Sequence, residues 1–105
     1  MSAPAHDSQP LVSDLARDPD LGDIVALYVA EMPERIEALQ SRFLARDWPG
    51  LASYAHQLKG SAGSHGFHQI TPFALTLEHA ARESRAEAEI GLALEALVEL
   101  CRRVR

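Results

Sequence analysis

Along most of this chain apolar residues recur every three or four positions, the rhythm that lines one face of an α-helix. Leu21, Val25, Tyr28, Met32, Ile36, Leu39 and Phe43 form the longest such stripe and predict a helix over about 20–46. Pro33 falls inside it. A proline there removes a backbone donor and crowds the carbonyl of Val29, and the stripe stays in phase on both sides, so the pattern predicts one kinked helix. The breaker cluster Asp47-Trp48-Pro49-Gly50 ends it. A helix over 49–64 follows, with Leu51, Ala55, Leu58 and Ala62 on its core side, closed by the glycines of Gly63-Ser64-His65-Gly66. The next, over 69–84, shows Ile70, Phe73, Ala74, Leu77 and Ala81, with Thr71 placed to cap it and Pro72 in the tolerant first turn. The last, over 86–104, shows Ile90, Leu94, Leu97, Cys101 and Val104.

Ahead of these elements, 11–16 reads as a short helix with Ser13 and Asp14 near its start, broken by Arg17-Asp18-Pro19-Asp20. Residues 1–10 hold two prolines, two serines and no apolar rhythm, and read as a flexible tail. Four long helices with short connections predict an all-α fold, an antiparallel up-down four-helix bundle with a short additional N-terminal helix, filling 11–105 as one domain. A complete four-helix core makes a monomer the expected state.

Composition agrees. A chain of 105 residues fits one domain and buries roughly 60–70% of its unfolded surface. It is 47% hydrophobic and 24% charged, too apolar for a disordered segment. The formal net charge of −5 leaves no basic patch for a nucleic-acid backbone. The Arg102, Arg103, Arg105 tail instead complements the C-terminal end of a helix dipole. No apolar run reaches the ~20 residues of a membrane span, and 1–10 lacks the pattern of a signal peptide, so no membrane partner and a cytoplasmic location are expected. The single cysteine, Cys101, forms no internal disulfide and reads as a small buried hydrophobe.

The helix over 49–64 has a second face. On a helical wheel His56 falls about 130° from the centre of the core stripe, which turns its imidazole to water. Ala52, Lys59, Gly60 and Gly63 share that sector, spread over about 100°. An ordinary solvent face would carry Glu, Lys, Gln or Arg, and Gly60 costs about 0.5–1 kcal/mol against alanine in a helix interior. The sequence thus breaks a local rule to leave a bare patch around one nucleophile and one cation, which suggests function. A neutral imidazole nitrogen is a good nucleophile, and a lysine one turn away offers a point charge to phosphoryl oxygens.

The string Tyr54-Ala55-His56-Gln57-Leu58-Lys59-Gly60-Ser61-Ala62 resembles the signature of histidine-containing phosphotransfer domains. So do Gly66, Ile70, Phe73, Ala74, Leu77, Glu78, Ala80, Ala81 and Arg82 downstream, and Asp18-Pro19 and Met32-Pro33-Glu34-Arg35 upstream. The resemblance covers about 11–105. It implies a helical bundle without kinase activity of its own, whose histidine accepts a phosphoryl group from a receiver-domain aspartate and passes it to another receiver domain. His56 would be the phosphoacceptor and Lys59 the residue assisting phosphate. Ala52, Ser53, Gln57, Gly60 and Gly63 would form the docking face. Partners would be receiver domains of a hybrid histidine kinase or a response regulator. No cofactor or metal is expected on this chain, magnesium being supplied by the receiver. Phe67 departs from the small residue common at its position, and with Gly63 it is expected to tune partner choice. A free-standing protein and a terminal piece of a hybrid kinase would read alike.

Rival readings are weaker. His65 and His68 lie three apart, but nothing nearby completes a ligand set, and the Glu-x-x-His pairs of bundle di-metal proteins are missing. Ser61 and Ser64 lack the glycine-framed elbow of a serine nucleophile. His79 reads as a helix-surface residue, and His6 sits in the tail. An adaptor bundle that docks a partner around Gly60 without chemistry accounts for the bare patch, but not for a nucleophile and a lysine at its centre.

Overall fold

A computed structural model of the chain describes residues 9–105. Most of the tail expected over 1–10, His6 included, lies outside the described residues. Among the described residues there are five α-helices: α1 Gly22–Ala30, α2 Met32–Leu44, α3 Trp48–Ser64, α4 Thr71–Arg82 and α5 Glu87–Cys101. The last four close into the antiparallel bundle. Helix α2 packs on α3, α3 on α4, α4 on α5, and α5 returns to α2. The core holds Leu39, Leu51, Leu58, Ile70, Leu77, Ile90 and Leu97, all from the apolar stripes.

The short additional helix is α1, not 11–16. Residues 14–17 form a turn, and the long stripe expected to make one kinked helix is divided into α1 and α2 by Glu31. Pro33 is the cause, since it has no N–H to give the Val29 carbonyl. Glu31 adopts φ −92°, ψ 0° and still donates to the Leu27 carbonyl at 3.1 Å. The guanidinium of Arg35 donates to the Tyr28 carbonyl at 2.9 Å and lies over the Tyr28 ring, 3.9 Å from its centroid. The Tyr28 carbonyl at the break is therefore met by a side chain. At the end of the same ring, Tyr28 Oη and Ser61 Oγ lie 2.7 Å apart, pinning α1 to α3.

The segment 11–17 straps one end of the bundle. Leu11 bridges Val104, its N–H donating to the Arg103 carbonyl at 2.7 Å and its carbonyl accepting from Arg105 N–H at 2.9 Å. The buried Ser13 hydroxyl donates to the His65 carbonyl, and Asp14 N–H donates to the Gly66 carbonyl at 3.1 Å. Gly66 has φ +85°, and a Cβ there would lie 2.2 Å from Ser13 Oγ, so this position requires glycine.

Small residues decide which helices approach most closely. Ala52, Ala55 and Ala62 on α3 and Ala74, Ala80 and Ala81 on α4 are all buried, and α3 against α4 is the tightest pairing of the bundle. Asp47 starts α3, its carboxylate accepting from Gly50 N–H at 3.0 Å. Thr71 is the first residue of α4 rather than its cap, and its hydroxyl donates to the Lys59 carbonyl at 3.4 Å. Phe73, placed on the α4 core stripe by periodicity, is exposed.

Candidate functional site

His56 stands in the middle of α3 with its side chain 60% exposed. Its Nδ1 lies 3.0 Å from Oε2 of Glu78, on α4. Glu78 is 7% exposed and takes two further hydrogen bonds: Lys59 Nζ donates to Oε1 at 3.0 Å and Arg82 Nη2 to Oε2 at 2.7 Å. One covered carboxylate thus ties together an imidazole, an ammonium and a guanidinium. Burial works to raise the Glu78 pKa, but the hydrogen bonds and charges of Lys59 and His56 together outweigh it and hold the carboxyl below its ordinary value.

An ionised carboxylate only accepts hydrogen bonds, so in the neutral imidazole of His56 the proton sits on Nδ1, facing Glu78, and Nε2 holds the lone pair. The imidazole is oriented from behind and open in front. Its neighbours Ser53, Gln57, Gly60 and Gly63 are exposed. A Cβ built on Gly60 meets nothing within 4 Å, so no packing inside this molecule requires glycine there. At Gly63 a Cβ would touch Thr71 Oγ1 at 3.5 Å, an ordinary contact with the start of α4.

Ala52, counted from the wheel among the exposed residues around His56, is buried at 3% exposure. The close approach of α4 covers that edge of α3. With Pro49, Ser53, His56, Ala81, Arg82 and Ser84 it lines a hollow of about 460 Å³ beside the imidazole. Lys59 is held by Glu78, and its ammonium keeps further N–H donors. Phe67 is fully buried, and its ring stacks on Tyr28 with centroids 6.1 Å apart. It therefore fills the core instead of tuning partner choice.

Sequence reasoning missed Glu78 and Arg82 as site residues. They are four apart on α4, and Glu78 sits at the edge of the stripe made by Ala74, Leu77 and Ala81. A carboxylate flanked by buried alanines was the available signal, because it implies a partner across the helix pair.

Two other histidines, His65 and His68, have structural partners. His65 stacks on Tyr28 with centroids 4.1 Å apart, and its Nδ1 lies 2.7 Å from the Ser61 carbonyl. His68 Nδ1 lies 2.9 Å from Asp14 Oδ2. His79 is exposed. Among the described residues no group of three or more His, Cys, Asp or Glu is placed to hold a metal ion. Burial pushes the Cys101 thiol up to about 12, which keeps it protonated and unreactive. No helix is long and apolar enough to cross a membrane among the described residues.

The bundle thus presents an oriented, solvent-facing imidazole beside two cations. The model of the Hpt domain family matches residues 23–105, and the chain belongs to that family. Such domains are phosphotransfer intermediates of two-component signalling, carrying phosphate on a histidine in exchange with receiver domains. Neither a curated protein nor a solved structure matches the chain significantly.

Proposed function

We propose that His56 is the phosphoacceptor of this Hpt domain and that its Nε2 is the reacting atom. The observation that carries this reading is the His56 Nδ1–Glu78 contact at 3.0 Å, which leaves Nε2 as the lone-pair nitrogen on an exposed ring. The Nε2 lone pair attacks phosphorus of a receiver's aspartyl phosphate in line. The Nε2–P bond forms as the P–O bond to the aspartate breaks, returning a carboxylate to the receiver. With Nδ1 still protonated the phosphorylated ring is cationic, and Glu78 stabilises that charge. Lys59 and Arg82, anchored on the same carboxylate, flank the ring and offer their remaining N–H donors to the phosphoryl oxygens.

The exposed residues Ser53, Gln57, Gly60 and Gly63 form the face on which the receiver docks, and Gly60 provides clearance. Ala52 forms part of the floor of the adjoining hollow and does not itself meet the partner. The receiver belongs to a hybrid histidine kinase or a response regulator. Glu78, the carboxylate beside His56, is saturated by cationic donors and is no ligand for magnesium, so the ion required by phosphoryl chemistry sits on the receiver.

Incubation with a phosphorylated receiver domain tests the assignment. Wild type should acquire an acid-labile, base-stable phosphate, Lys59→Ala should acquire it more slowly, and His56→Gln should acquire none. Equal labelling of wild type and His56→Gln would refute it.

A further inference from the structure

On the seam between α2 and α5, across the bundle from the α3–α4 seam that carries His56, three hollows join into one trough. Gln40 lines all three. The widest, about 840 Å³, has Phe43, Leu44, Gly91, Leu92 and Leu94 in its walls. Two of those leucines stand in water: Leu44 is 73% exposed and Leu92 68%. Large exposed leucines facing a concavity mark an interaction surface more often than a bare exterior.

The charges around the trough are one-sided. Glu37, Glu95 and Glu99 line it, and none of them makes an ion pair among the described residues. Glu95 and Glu99 are four apart on α5, a like-charge spacing that destabilises an isolated helix. Only at the C-terminal end of α5 does the sign reverse, where Arg102 and Arg105 line the trough. The opposite seam carries Lys59 and Arg82. The molecule therefore shows a cationic face around His56 and an apolar, acid-rimmed face behind it.

We infer that the α2–α5 trough is a second docking site, and that its occupant is an amphipathic helix of a partner protein with a leucine-type stripe flanked by Lys and Arg. The stripe fills the space over Leu44 and Leu92, and the flanking cations pair with Glu37, Glu95 and Glu99. The negative end of the helix dipole points to Arg102 and Arg105. A second copy of this chain fits poorly. A two-fold axis through the middle of the trough, near Gln40 and Glu95, would set Glu95 against its own image. Because the two seams are on opposite sides, a partner held here leaves His56 free to meet receivers in turn. The inference does not depend on His56 being the phosphoacceptor.

The test uses the full chain, ¹⁵N-labelled, and a synthetic helical peptide of about 18 residues with Leu at the stripe positions and Lys elsewhere. Saturable amide shifts are expected at Leu44, Gly91, Leu92 and Glu95, with Gly60 and His56 unmoved. Leu92→Ser, which leaves charge unchanged, should weaken binding about tenfold, as should Glu95→Lys, and both variants should accept phosphate as wild type does. Shifts centred on His56, binding indifferent to Leu92→Ser, or equal binding of the same peptide with Glu for Lys would each overturn the proposal. So would a dimer in sedimentation that Leu92→Ser dissolves, because the trough would then belong to a second copy.

Discussion

The side chains that matter most divide into those a sequence can show and those only packing can. His56, Lys59 and Gly60 were legible because a helical wheel puts them off the core stripe and because a glycine there breaks helix propensity. Glu78 and Arg82 were not, since their role arises from the register between two helices, which no single-helix periodicity encodes. The burial of Ala52 escaped for the same reason: the wheel gives a direction from the helix axis and not the position of the neighbouring helix. Gly60 gives the sharpest expectation at this scale. Its absent Cβ would meet nothing, so Gly60→Ala should raise stability by about 0.5–1 kcal/mol in urea unfolding. Gly60→Glu should leave the helical circular dichroism intact yet slow phosphoryl acceptance from a receiver. An unchanged transfer rate in Gly60→Glu would place the docking face elsewhere.

Among elements, the three helices read as single units, α3, α4 and α5, were each legible to within a few residues. Their apolar stripes, Phe73 excepted, coincide with the core, and Gly/Pro breakers stand before α3 and between α3 and α4. The long stripe over 20–46 was legible as helix but not as two helices, because in-phase periodicity survives a one-residue interruption. What decides the outcome is local: Pro33 withholds one N–H, and Arg35 is long enough to satisfy the Tyr28 carbonyl the break exposes. The segment 11–17 was misread because its order comes from contacts far along the chain, with Gly66, His65 and Val104. Gly66 is the keystone of that strap. Gly66→Ala adds a side chain at φ +85° directly against Ser13 Oγ and is expected to cost about 1–3 kcal/mol in denaturant unfolding. The loss should shrink in a Ser13→Ala background, which removes the clashing atom. Full additivity of the two changes would mean that they do not meet.

For the whole molecule the fold and the proposed chemistry share one carboxylate. Glu78 joins α3 to α4 through Lys59 and His56, and its folded pKa lies below its ordinary value of 4.5. A group depressed on folding contributes stability that is complete above the unfolded pKa and is lost as pH falls through the folded one. Unfolding free energy should therefore drop as the pH is lowered through and below the ordinary carboxyl value of 4.5, and Glu78→Gln should drop less over the same titration. Parallel curves would show that the pair adds nothing to stability. The central claim, that Glu78 holds the ring so that Nε2 of His56 takes the phosphate, is tested most directly by ¹⁵N–³¹P NMR of the chain phosphorylated by a receiver domain. One phosphohistidine is expected, with phosphorus coupled to Nε2 of His56 and a proton retained on Nδ1. Phosphorus on Nδ1, or on a residue other than His56, would contradict the account.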